Sequence, residues 1–152
     1  MNILRSRAIR LLARREHSRA ELARKLAAHG AQEEIDAVIN ELQASQLQSD
    51  ARFAESYVQA HAARWGGMRL RQKMAASGLA RELIDAQLAR AGLPDELTRA
   101  REVWARKFSA APADAKEWAR QARFLQGRGF ASETIRRLLK NPCEDMAGED
   151  AA

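Results

Sequence analysis

Apolar residues along this chain recur every three to four positions, which is the spacing of one face of an α-helix. The sequence has no sustained alternation of apolar and polar residues and few β-branched residues, and Ala, Leu, Arg, Glu and Gln dominate it. The pattern therefore predicts an all-helical protein. The first helix is predicted over residues 3–16, with Ile9, Leu12 and Ala13 on its apolar side. Further helices are predicted over residues 19–29, 35–42, 50–65, 69–77, 83–88, 97–108, 118–129 and 135–139.

A short polar residue marks the start of the second helix. Ser18 precedes Glu21 by three residues, the spacing of a capping box. In this motif the hydroxyl accepts from the amide of the third helical residue, and the carboxylate accepts from the amide of the capping residue. We therefore predict a helix that begins at Arg19, with Leu22 and Leu26 on one side and basic residues elsewhere.

Three glycines reveal an internal repeat. Gly30, Gly78 and Gly129 are separated by 48 and 51 residues, and each is preceded at four residues by Leu or Met and followed at four by Glu. We predict that Gly30 ends its helix in the left-handed conformation. The period predicts tandem three-helix units that form an elongated, curved body. The predicted boundaries are 1–47, 48–92 and 93–141 for the three repeats, and 142–152 for an acidic, disordered tail.

Charge alternates along the chain and follows the repeat. The chain has 152 residues and a formal net charge of +6. Residues 1–25 carry eight basic and two acidic side chains, whereas residues 26–63 carry one basic and six acidic. Basic residues again outnumber acidic ones six to two over 64–90 and six to one over 120–140. This distribution favours a polyanionic partner or an acidic protein surface. Solvated helix faces explain it equally well.

Several classes of protein are disfavoured by the residue types present. Cys143 is the only cysteine, so no intramolecular disulfide is possible and a reducing, cytoplasmic location is expected. No apolar run reaches the length of a membrane span. His17, His29 and His61 lack metal-ligand spacing, which favours a capping or surface position for each. No carboxylate pair or nucleophile arrangement predicts catalysis, and no metal or cofactor is expected.

The basic side chains of the middle helices, together with Arg64 just before the second of these helices, are the candidate binding residues. Their charges could track phosphates, each contact adding a salt-sensitive contribution. Trp65, beside Arg64 and a diglycine, is balanced between base stacking and core packing, whereas Trp104 and Trp118 fall on apolar helix faces and are expected in the core. The full candidate set is Arg24, Lys25, Arg64, Arg69, Arg71, Lys73, Arg120, Arg123 and Arg128.

Several motifs resemble those of a known family. The segment 8–26 contains Arg15-Glu-His-Ser18 followed by Glu21-Leu and Lys25-Leu. Similar motifs follow in Asp50-x-x-Phe-Ala, in Gly67-x-x-Leu70 with Gly78-Leu, and in Arg123-Phe-Leu-x-x-Arg-Gly-Phe130. Together they resemble the RecX family of bacterial regulatory proteins over roughly residues 8–140. The residues before Asp50 and the acidic tail depart from the family pattern.

The resemblance implies a particular activity. It implies three tandem three-helix repeats that bind the RecA recombinase filament on single-stranded DNA and inhibit its ATP hydrolysis and strand exchange. A non-enzymatic, monomeric, cytoplasmic protein is expected. The alternative is a helical protein that binds single- or double-stranded DNA directly and competes with the recombinase for it.

Overall fold

The structure, a computed structural model, describes residues 3–140. The predicted acidic tail over 142–152, with Cys143, lies outside the described residues. Within them the chain forms nine α-helices and no strand, which confirms the predicted all-helical repeat fold. The helices are α1 Ile3–Arg14, α2 Arg19–Leu26, α3 Gln32–Ala44, α4 Asp50–His61, α5 Gly67–Ala76, α6 Arg81–Arg90, α7 Glu96–Lys107, α8 Ala115–Gly127 and α9 Ser132–Leu139, with a 3₁₀ turn over Ala27–His29.

Local capping chemistry sets several helix starts. The Ser18 hydroxyl accepts from the Glu21 amide at 3.1 Å, and the Ser18 amide donates to Glu21 Oε1 at 3.2 Å, so the predicted capping box is present. Asp95 caps α7 and Asp114 caps α8, each accepting a backbone amide at 2.8 Å. Each of these caps joins two residues that are three positions apart in the sequence. The first residue of such a helix can therefore be predicted from the sequence alone.

The chain forms two compact units. The first unit contains the chain up to Ala60 together with Lys73–Ala91, and the second contains His61–Gln72 together with the chain from Gly92 onward. Helix α5 therefore contributes its first residues to the second unit and its last residues to the first. The first unit has a core from α1, α2 and α3, and the second from α7, α8 and α9 and the turn before α9. The buried members are Leu4, Ala8, Leu22, Leu26, Ile35, Val38, Ile39 and Leu42 in the first, and Ala100, Val103, Leu125, Phe130, Ile135 and Leu139 in the second.

Two local predictions are wrong. Ala13 is exposed, and α1 instead buries Leu4 and Ala8. Gly30 is extended, with φ −176°, so the helix before it ends through the 3₁₀ turn and not through a left-handed residue. The space beside Gly30 is filled by Leu4, whose Cδ1 atom would lie 2.7 Å from a Cβ at this position.

In the first unit, the start of α2 contacts the turn after α5. The Ser18 hydroxyl donates to the Ser77 carbonyl at 2.6 Å, and Arg24 Nη2 donates to the Ala76 carbonyl at 3.4 Å. Gly78 follows with φ +85°, a left-handed conformation, and a Cβ here would overlap that of Ala20. The turn therefore requires glycine for both its backbone conformation and its close contact.

In the second unit, the start of α5 contacts the turn after α8 in the same way. The Gly66 amide donates to the Arg128 carbonyl at 2.7 Å, and Arg69 Nη1 donates to the Gly127 carbonyl at 2.8 Å. Gly129 has φ +91°, and a Cβ at Gly129 would overlap Arg69. Each unit thus contains one middle-helix start held on one glycine turn, with an arginine donating to the carbonyl two residues before the glycine.

Candidate partner and nucleic-acid interface

The nine candidate basic residues are divided between the two units. Six of them lie in the second unit and three in the first. The structure leaves Arg71, Lys73 and Arg123 exposed on their helices, whereas Arg69 and Arg128 are partly covered. The second-unit residues are Arg64, Arg69, Arg71, Arg120, Arg123 and Arg128, and the first-unit residues are Arg24, Lys25 and Lys73.

A cluster of cations and aromatic rings lies on the second unit. Phe108 and Phe124 meet edge to face, with their centroids 5.3 Å apart. The Arg120 guanidinium lies 5.1 Å from the Phe108 centroid, and on the Phe124 ring Arg128 lies at 5.0 Å and Lys107 Nζ at 5.7 Å. These are cation–π distances. We call these five residues the cation–aromatic cluster. Sequence reasoning proposed its two arginines but missed Lys107 and both rings, because the cluster joins residues from different helices.

A second aromatic contact surrounds Trp65. The His61 imidazole stacks on its ring with centroids 4.2 Å apart, and the Arg69 guanidinium lies 4.6 Å from the Trp65 ring centroid. Burial, followed by the charges of Arg64 and Arg69, lowers the pKa of His61. The stacked imidazole is therefore neutral at neutral pH. The Trp65 side chain is half-buried, and its ring already contacts His61 and Arg69. A base would have to compete with these two side chains in order to stack on the ring.

An ion pair reduces the charge that Arg120 presents. Arg120 Nη2 lies 2.7 Å from Glu117 Oε1, one turn earlier on α8. The hydrogen bonds from Arg120 and then Gln121 lower the pKa of Glu117 to about 2, so this carboxylate stays ionised at neutral pH. An anionic ligand would have to displace Glu117 or share the guanidinium with it. Arg123, exposed on the same helix, forms no ion pair with another described residue.

Lys25 is held by a buried histidine. Lys25 Nζ lies 3.0 Å from His17 Nε2, and His17 Nδ1 lies 3.0 Å from the Arg15 carbonyl. Because a carbonyl only accepts and an ammonium only donates, His17 is the neutral tautomer with its proton on Nδ1. Burial, together with the positive charges of Arg15 and Lys25, lowers the pKa of His17. His17 is only 1% exposed, so of the expected capping or surface positions the surface one is wrong.

The motif around His17 forms a structural network. Arg15 Nη2 donates to Glu21 Oε2 at 2.8 Å. Burial alone would raise the pKa of Glu21, but hydrogen bonds from Arg15 and from the Ser18 amide outweigh it and lower that pKa. Asp50 Oδ1 accepts from the Arg19 amide at 2.8 Å, so the head of α4 is joined to the head of α2. These residues position α2 and Lys25, and thus the family-like motif has a structural explanation.

Arg99 supports the segment that carries Arg64 and Trp65. Its side chain is buried, and Nη2 donates to the carbonyls of Ala62, at 3.1 Å, and of Trp65. Burial lowers the pKa of Arg99. Carbonyls after the end of a helix lack intrahelical donors, and a guanidinium from α7 supplies one here. Sequence reasoning missed Arg99, since nothing local distinguishes it from the exposed arginines around it.

Metal and membrane sites are absent from the part of the chain that the structure describes. No group of three or more His, Cys, Asp or Glu residues between residues 3 and 140 could hold a metal ion. None of the described helices is long and apolar enough to cross a membrane.

Comparison with known proteins identifies the family. Family models for the first, second and third three-helix domains of RecX match residues 5–42, 49–88 and 94–139. The chain belongs to the RecX family. It is 50% identical over 139 residues to the regulatory protein RecX of Leptothrix cholodnii, covering 90% of this chain and 87% of that one. It is 42% identical over 150 residues to the RecX of Chromobacterium violaceum, covering 97% and 95%.

Solved structures of RecX share the fold. A crystal structure of RecX from Lactobacillus salivarius matches with a TM-score of 0.71 at 16% identity, covering 93% of this chain and 95% of that one. Another crystal structure of regulatory protein RecX matches with a TM-score of 0.75 at 20% identity, covering 90% and 71%. Together with the family models, which match the three RecX domains in order, these structures place the chain's fold with that of RecX.

Proposed function

We propose that this RecX-family protein regulates the RecA recombinase. It binds the RecA filament on single-stranded DNA and inhibits ATP hydrolysis and strand exchange, without catalytic activity of its own. The observation that supports this proposal is the match of all three RecX domains in order along the chain. The chain also matches relatives named regulatory protein RecX over most of their length. We further propose that the protein acts as a monomer in the cytoplasm.

We place the contact surface on the nine candidate basic residues. Because these residues are divided between the two units, each unit supplies positively charged side chains to the proposed surface. Arg24 and Arg69 also hold glycine turns, so variants of these two residues would change folding as well as binding. Arg123 and Lys73 are exposed, and they are better sites for testing binding alone.

Filament binding can be tested against bare DNA on the same oligonucleotide. Biotinylated oligo(dT) is immobilised bare, or coated with the cognate RecA and a slowly hydrolysed ATP analogue, and binding is measured at physiological salt. The proposal predicts affinity for the coated strand at least about tenfold higher, a difference of about 1.4 kcal/mol. Equal or tighter binding to the bare strand would remove the filament as the preferred target.

Direct DNA binding is a second candidate, favoured by the cation–aromatic cluster. Sites for single strands combine positive charge with aromatic rings, and Phe124 is half-buried beneath two cations. This candidate predicts binding to the bare strand that weakens steeply with salt. A salt series on the bare oligonucleotide tests it. Affinity at physiological salt no better than ordinary non-specific binding would exclude it.

A further inference from the structure

A basic groove lies between α1 and α2 in the first unit. Its volume is about 610 Å³. Four basic and three aliphatic side chains line it, and of these only Lys25 belongs to the nine candidate residues. The lining residues are Arg7, Arg10, Leu11, Ala13, Arg14, Lys25 and Leu26.

The charges in this groove are available to a ligand. Arg7, Arg10 and Arg14 are exposed, and none forms an ion pair with another residue between 3 and 140. Lys25 is directed by its contact with the neutral His17 at 3.0 Å. Four positive charges therefore surround one concave surface without a protein carboxylate among its lining residues. Such a surface is complementary to a polyanion.

The spacing of these charges fits another helix. Arg7, Arg10 and Arg14 stand at positions i, i+3 and i+7 of α1, so they form one row, about 4.5 and 6 Å apart along the helix axis. Carboxylates placed three and four residues apart on a partner helix have the same spacing. The row can therefore pair with acidic residues along one face of such a helix.

The uncharged part of the groove distinguishes between two kinds of polyanion. Its aliphatic surface comes from Leu11 and Ala13, since Leu26 is fully buried, and no aromatic side chain is among the lining residues. Sites for single-stranded nucleic acid rely on aromatic rings for base stacking. An aliphatic floor instead accepts Leu, Ile or Val side chains of an amphipathic helix. The chemistry of the groove thus favours a protein ligand.

We propose that this groove binds an acidic amphipathic helix of a partner protein, with its carboxylates on Arg7, Arg10, Arg14 and Lys25 and its aliphatic side chains on Leu11 and Ala13. This groove is a different site from the proposed filament-binding surface. Lys25 is the one residue that belongs to both. The peptide-binding experiment below contains neither recombinase nor DNA. A negative result there would reject the groove proposal without affecting the proposed function.

The test uses a fluorescent synthetic peptide and the full chain. The peptide is a helix-forming sequence with Glu at i, i+3 and i+7 and Leu on the adjoining face, and binding is followed by fluorescence anisotropy at low salt. Arg10→Gln/Arg14→Gln should weaken binding by about tenfold, because two charge pairs are lost. The matched control, Arg81→Gln/Arg90→Gln, removes the same charge from exposed positions of α6 and should change affinity by less than about twofold. The same peptide with Gln for Glu should bind far more weakly.

Three results would overturn the proposal. Equal loss of binding in both double variants would mean that net charge, and not the groove, attracts the peptide. Oligo(dT) binding that is lost in the groove variant while the peptide never binds would make the groove a nucleic-acid site. Peptide binding that appears only after Glu144, Asp145, Glu149 and Asp150 are neutralised would assign the groove to the chain's own acidic C-terminal segment.

Discussion

Two buried polar side chains, His17 and Arg99, link the core of each unit to its charged surface. His17 fixes Lys25 in the first unit, and Arg99 holds the Trp65 carbonyl in the second. Both are buried, which is costly for a charged group unless partners compensate it. His17 avoids that cost by staying neutral, whereas Arg99 retains its charge and donates to two carbonyls.

The stability of the first unit should fall in mild acid because of His17. Its pKa is lower in the folded protein than in the unfolded chain, where it is about 6.5, so the unfolded chain binds more protons below that pH. The neutral His17 makes its full contribution to the free energy of unfolding above about pH 6.5, and this contribution is lost as the pH falls towards the folded pKa. The loss is at most about 1.4 kcal/mol per pH unit. Urea unfolding at pH 7.5 and 5.5 measures it.

The matched variant for this prediction is His17→Gln. It retains His29 and His61, so the difference between its pH dependence and that of the wild type isolates His17. We expect the free energy of unfolding of the wild type to fall more between the two pH values. An NMR titration midpoint of the His17 imidazole at or above 6.5 would contradict the structure.

Replacing Arg99 should destabilise the second unit. Arg99→Met keeps much of the volume but leaves the Ala62 and Trp65 carbonyls without their donor, at a cost of about 1–3 kcal/mol. Arg101→Met removes an exposed arginine from the same helix and should change stability by no more than about 0.5 kcal/mol. Urea unfolding midpoints compare the two. Similar midpoints would indicate that the Arg99 hydrogen bonds contribute nothing.

At the scale of the element, most of the helices could be predicted and their contacts could not. The capping box at Ser18 is local, so sequence spacing was sufficient to place the start of α2. The cap at Asp114 is equally local but was not recognised, so α8 was predicted from residue 118 although it begins at Ala115. Gly30 was misjudged because its conformation depends on Leu4, from another helix. Contacts between helix starts and glycine turns join residues about 60 apart, and no periodicity reports such a pairing.

The contact between Gly66 and the Gly129 turn should be intolerant of a single methyl group. A Cβ at Gly66 would overlap the Gly129 carbonyl, so Gly66→Ala should destabilise the protein by about 1–3 kcal/mol. Gly127→Ala is the matched control, since a Cβ there meets nothing within 4 Å and alanine favours the helix. Thermal unfolding should separate the two variants. Equal stability would show that the turn can move away from α5.

At the scale of the whole molecule, the sequence identified the charged helices but not how their charges are used. Arg69 and Arg120 were proposed as binding residues from their charge alone, and the structure adds that Arg69 donates to the Gly127 carbonyl and that Arg120 pairs with Glu117. The groove between α1 and α2 was also missed, because Arg7, Arg10 and Arg14 read as an ordinary solvated face. Whether a basic side chain is bonded within the protein or left exposed depends on residues from other segments of the chain. The sequence pattern does not show which segments come into contact.

Charge removal at Arg123 of α8 and at Arg128, which follows its last residue, should weaken the inhibition of RecA that we propose. Arg123→Gln/Arg128→Gln removes two of the nine candidate charges, and we expect the concentration for half-inhibition to rise by at least about fivefold. Arg136→Gln/Arg137→Gln removes the same charge from exposed positions of α9 in the same unit and serves as the control. Circular dichroism should show equal helicity in both. Unchanged inhibition by the α8 variant would exclude its two arginines from the surface.

The most direct test of the central claim is the single-strand-dependent ATPase rate of the cognate RecA as this protein is titrated in, with coverage of bare DNA measured at the same concentrations. The proposal predicts inhibition well below one copy per recombinase protomer, at concentrations that leave free DNA uncovered. Inhibition that begins only when the DNA is saturated would contradict it and make the protein a competitor for DNA.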